Sequence, residues 1–104
     1  MKIIKVMSEK IKDELKDAEA YIDLAMEWKK EQPEAAELFA ALSKEEIGHM
    51  DRLHSEVTQL INQYRQREGD PPAGMMALYD YLHEQQIEMA MKVKVKQAMY
   101  SEPK

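Results

Sequence analysis

The chain has 104 residues and a mass of 12.2 kDa, room for one small domain with a modest core of its own. It contains no Cys, which removes disulfides, thiolate metal sites and Cys nucleophiles together, and 34% charged against 7% aromatic residues suits long helices better than a β-sandwich or a disordered tail. A net charge of −5 gives no basic field for a phosphate backbone, so nucleic acid is not an expected partner.

The opening residues, MKIIKVM, form too short an apolar run for a signal peptide. Nowhere do about 18 apolar residues run together, so no membrane span is expected and the cytoplasm is the default compartment. Taking about 100° per residue, a first helix over about 6–31 lines up Ile11, Leu15, Ala18, Ile22, Ala25 and Met26 on one stripe. Ser8 offers an alternative cap, with the residues before it as a less regular lead-in. Lys29-Lys-Glu-Gln-Pro33 is the first break, and Pro33 suits the first turn of a new helix. The second helix, about 34–68, lines up Leu38, Leu42, Leu53, Val57, Leu60 and Tyr64 and would be roughly 50 Å long. Gly69-Asp-Pro-Pro-Ala-Gly74 is the second break. A third helix over about 74–101 lines up Met75, Tyr79, Leu82, Met89, Val93 and Tyr100. Within it Lys92-Val-Lys-Val-Lys96 alternates with period two, as a strand would, but good helix formers surround it and helix is the expectation. The fold class is therefore all-α, a single domain over 1–104 with a long antiparallel hairpin of the first two helices. So long a second helix needs a further surface to bury its stripe, either the third helix or a second copy of the chain.

Polar groups on an apolar stripe are the informative feature. With Leu38 as origin the second helix's stripe centres near about 50°, and Glu46 at about 80° and His49 at about 20° both fall inside it. Every His has a carboxylate three residues before it (Glu46 and His49, Asp51 and His54, Asp80 and His83), but only the first pair points inward. Glu19 lies 13 residues before Gln32, and Glu46 lies 13 after Pro33, so the hairpin is expected to bring both to one level. Glu19 sits at the edge of its stripe. Two carboxylates and an imidazole suit Fe, Mn or Zn better than Cu(I). A buried Glu–His hydrogen-bonded pair that fixes helix register is the other reading of the same residues.

The segments Glu19-Ala-Tyr-Ile-Asp-Leu-Ala25, Pro33-Glu-Ala-Ala-Glu-Leu-Phe39 and Leu42-Ser-Lys-Glu-Glu-Ile-Gly-His-Met50 resemble the first helix pair of rubrerythrin-like proteins of the ferritin-like superfamily. The resemblance implies a four-helix bundle around a dinuclear iron or manganese centre, each hairpin giving a Glu and a Glu-x-x-His. Carried over, Glu19, Glu46 and His49 match one half-site: Glu46 would bridge, His49 would cap each ion, and Glu19 would terminate or chelate. The third helix offers Gln86 at the comparable level, and there is no Cys-rich rubredoxin segment, so a complete rubrerythrin peroxidase is not expected. Two copies pairing their hairpins would supply the missing half, as in the half-size encapsulated ferritins, with the third helix outside or at one end. The implied protein is a homodimer, or a multiple of one, that binds iron (Mn or Zn as alternatives) and has ferroxidase or iron-handling activity. A metal-free helical scaffold or protein-binding regulator is the alternative.

Met75, Met76, Met89, Met91 and Met99 crowd the third helix on more than one face, either as core filler or as a surface for a protein partner. His83 is expected half-exposed, and Trp28, off its helix's stripe, is expected to cover the third helix. No Ser-His-Asp set or phosphate-binding loop is present, so no small organic substrate is indicated.

Overall fold

The computed structural model describes residues 2–103. It contains three helices, α1 (Lys2–Trp28), α2 (Pro33–Glu68) and α3 (Ala73–Ser101), and among the described residues no strand. The alternating Lys92–Lys96 stretch lies inside α3. α1 starts earlier than the sequence suggests, because nothing from Ile3 to Met7 breaks a helix, and Ser8 falls inside it rather than capping it.

It also ends earlier, at Trp28 rather than about 31. The Gln32 N–H donates to the Trp28 carbonyl at 2.9 Å. Gln32 itself leaves the helical region (φ −136°, ψ 71°), as the residue before a proline must when its N–H side is crowded by the ring. Pro33 then opens α2, where its missing N–H costs nothing. At the other end Gly69 adopts φ +81°, which a side chain would resist, and its N–H closes on the Arg65 carbonyl at 3.1 Å.

The helices run up, down and up as a rod of 56 × 18 × 18 Å. α1 and α2 pack closely along their length, whereas α3 leans mainly on α1 and touches α2 thinly. Ile11, Leu15, Ala18, Ile22 and Ala25 of α1 are buried, the stripe its periodicity predicts. Burying each larger aliphatic among them is worth about 1.5–3 kcal/mol. On α2 the outcome differs. Its buried face is Ala36, Ala40, Ser43, Ile47, Met50, Val57 and Ile61, and of the expected leucine stripe only Val57 is fully buried. α2 carries two apolar stripes about a quarter turn apart. The small and branched side chains take the close contact with α1 and α3, while Leu42, Leu53 and Leu60 are only partly buried, Leu53 against the core, and Leu38 has 59% of its surface exposed. α3 buries only Ala90, Val93 and Tyr100, all in its second half. Trp28, expected to cover α3, is exposed instead.

Polar ties fix the register. Ser43, wholly enclosed, donates to the Ala18 carbonyl at 2.7 Å and accepts from the Gln97 amide at 2.9 Å. Tyr100 donates to Glu37 at 2.7 Å, and Lys29 donates to the Tyr100 carbonyl while its ammonium lies 4.7 Å from the Tyr100 ring centre. Burial and the Glu37 carboxylate push the Tyr100 hydroxyl up to about 12, so it remains a donor at any ordinary pH. Among the described residues no helix is long and apolar enough to cross a membrane.

Candidate metal centre

Three side chains meet on the open side of the α1–α2 hairpin. Glu14 comes from α1, and Glu46 and His49 come from adjacent turns of α2. One ligand atom from each lies within 4.8 Å of the others. His49 Nδ1 stands 3.4 Å from Glu14 Oε2 and 3.9 Å from Glu46 Oε1. The Glu46 side chain is 18% exposed and that of His49 53%. His49 is thus far less enclosed than its place among the leucines suggests, because that stripe is only partly covered in the single chain.

The two carboxyl groups are close enough to share a proton. Glu46 is pushed up to about 7, first by its hydrogen bond with Glu14, then by burial and by the charge of Glu14, with His49 pulling the other way. Glu14 Oε2 is itself buried and makes no well-aligned hydrogen bond. Such an arrangement holds acceptor oxygens in enforced proximity, a cost that a divalent cation would relieve.

Glu19, predicted at this level, stands elsewhere. It accepts from Lys96 at 3.3 Å and pairs with Lys92 at 3.4 Å, on the side of α1 that faces α3. The cause is the hairpin turn. Residues 29–32 are not helical, so α1 stops short and Ala18 comes opposite Ser43. That register puts Glu14, a little more than one turn earlier than Glu19, beside Glu46. The sequence held a sign of it: Met7, Glu14, Tyr21 and Trp28 recur every seven residues and share one face of α1. Gln86 of α3 is apart from the cluster, its amide donating to the Ser8 carbonyl at 3.5 Å. A concavity of about 620 Å³ between Lys29, Glu37 and Tyr100 lies at the hairpin-turn end and has no residue in common with the cluster.

Two carboxylates and an imidazole, with the remaining directions open, form a set that Fe(II), Mn(II) or Zn(II) accepts. No family model matches the chain, and no curated protein or solved structure matches it either.

Proposed function

We propose that the chain binds a divalent transition metal, iron first among them, through Glu14, Glu46 and His49, and that two chains joined hairpin to hairpin form a dinuclear carboxylate centre of the ferritin-like kind. The observation that carries this reading is the convergence of those three ligand atoms within 4.8 Å on an apolar face that the single chain covers only in part. Leu38, Leu42, Leu53 and Leu60 share that face of α2 with the two ligands, and Trp28 and Tyr21 share it with Glu14 on α1. A single chain supplies too few donors for two ions. A two-fold partner would double them and cover the leucines in the same step.

In the pair, Glu46 and His49 from α2 and Glu14 from α1 of each chain would hold the metal, Glu46 being the more enclosed of the two carboxylates. Glu14 fits the part that the family resemblance assigns to Glu19, whose lysine partners would have to be given up first. Iron bound there would supply electrons to an oxidant such as dioxygen, and the protein would act as a ferroxidase-like or iron-handling protein. The chain's own contribution is to hold the carboxylates together, to keep their proton available for release, and to exclude bulk water with the leucines on either side.

A metal-free helical scaffold is the second reading. It is favoured by the mutual contact of Glu14, Glu46 and His49, which already satisfies part of each group without an ion. Metal analysis of tag-free protein after anaerobic Fe(II) addition separates the two. Uptake near one ion per chain supports the first, and less than about 0.1 equivalent of Fe, Mn or Zn sinks it. Glu14→Ala and Glu46→Ala should each abolish uptake and His49→Leu should weaken it severely, while Glu19→Ala and His54→Ala leave it intact.

A further inference from the structure

The α2–α3 contact contains a stack of three rings away from the carboxylates. His54 of α2 lies face to face with His83 of α3, ring centres 4.5 Å apart and planes 17° from parallel. Tyr79, one turn before His83 on α3, also stacks on it, at 5.8 Å and 18°. His54 Nε2 is buried with no hydrogen-bond partner. A shallow cleft of about 180 Å³ borders the pair, lined by Met50, Asp51, Gln86 and Lys94 among others.

This stack sits where α3 is least secured. The residues that α3 buries fully, Ala90, Val93 and Tyr100, and its strong polar ties, Lys96 to Asp23 and Gln97 to Ser43, all lie beyond residue 89. Before that point α3 has the ring stack, partly buried Tyr79 and Met89 against the core, a side-chain hydrogen bond between Tyr79 and Thr58 of α2, and a long 3.5 Å hydrogen bond from Gln86 to Ser8. We propose that the His54–His83 stack is an acid-sensitive clasp: protonation of the rings releases residues 73–89 of α3 from α2, while the second half of α3 stays docked.

The physics is direct. Neutral imidazoles stack favourably, but two imidazolium rings at this separation repel, and a proton on the enclosed Nε2 of His54 would be a buried charge without an acceptor. The neighbouring charges do not rescue it. On α2, Asp51 attracts a cationic His54, and His83 of α3 opposes it; Lys94 lines the same cleft, and Asp80 lies beside Tyr79. No charged group of α1 is among those that act on His54. Burial first and His83 second hold His54 below its ordinary value of 6.5, against the pull of Asp51. With the folded value lowered, the unfolded or released ring takes up a proton first, so the clasp is at full strength above the ordinary imidazole range and weakens as pH falls.

Hydrogen exchange followed by mass spectrometry tests this, with protection factors normalised to intrinsic rates at about pH 7.5 and pH 5.5. Residues 73–89 should lose protection at least about tenfold on acidification while 90–101 hold theirs within about twofold. His54→Phe/His83→Phe, which keeps an apolar stack without a titrating group, should show no such loss. Should that variant fold poorly, the imidazole NMR titrations of the unaltered protein serve instead, and their midpoints should coincide with the loss of protection. Unchanged protection in 73–89, equal loss across all of α3, the same loss in the double variant, or imidazole midpoints unrelated to the opening would each overturn the clasp.

Discussion

Glu46 has an ordinary value of 4.5 and about 7 in the fold, because Glu14 shares its proton and both groups are partly enclosed. Between those values the unfolded chain has released a proton that the folded chain keeps. The group therefore favours the fold at low pH, and that contribution is lost as pH rises through about 7. In metal-free protein, thermal melts in chelator should show Glu46→Gln gaining on the parent as pH rises from about 5 to 8, because the amide donates to Glu14 without ionising. A constant difference across that range would mean that the two carboxyls do not share a proton. Ser43 makes the opposite case, a buried polar group with both its hydrogen bonds made. Ser43→Ala strands the Gln97 amide and should cost about 1–2 kcal/mol in urea unfolding, against nearly nothing for Ser101→Ala at the exposed end of α3.

At the scale of the helix, Gly48 is an exposed interior position of α2, and a Cβ added there would meet nothing within 4 Å. It lies on neither the buried face nor the leucine face. Gly48→Ala should therefore raise stability by about 0.5–1 kcal/mol through backbone entropy alone, readable as a higher melting temperature with metal uptake unaltered. The three helices and both breaks were legible in the sequence, since proline and glycine punctuate them and α1 has one clean stripe. The rotation of α2 was not. Periodicity weights large leucines above Ala36, Ala40 and Ser43, yet close packing at the turn end selects the small residues. The hairpin register was hidden for a related reason. Counting from Gln32 takes the whole first break as helix, and residues 29–32 are a turn, so a small error at the turn carries the whole way along α1. Glu46 and His49 could be singled out because polar groups among leucines stand out on one helix. Glu14 needed the pairing of two helices, which a single-helix wheel does not contain.

The molecule as a whole is a thin rod with an apolar face left open on either side. On the hairpin face Leu38 is exposed and Leu42, Leu53 and Leu60 are partly buried, while Leu78, Tyr81, Met91, Val95 and Met99 are exposed on α3. Only the first of these faces carries the proposed ligands Glu14, Glu46 and His49, and the proposed two-fold pairing uses it alone. A charge placed there discriminates. Leu38 is 59% exposed in the single chain, so Leu38→Glu should change the stability of an isolated chain by no more than about 0.5 kcal/mol. Buried against a partner's leucines, the same carboxylate would oppose association by several kcal/mol. Light scattering with and without Fe(II) should thus find the parent protein dimeric and further stabilised by metal, since ligands drawn from two chains favour the assembled state by mass action. Leu38→Glu should be a helical monomer that binds metal weakly, and Val95→Glu, on the outward face of α3, should still dimerise. Dimerisation that survives Leu38→Glu but not Val95→Glu would transfer the interface to α3 and separate it from the carboxylates; a monomer that takes up two ions would remove the need for a partner.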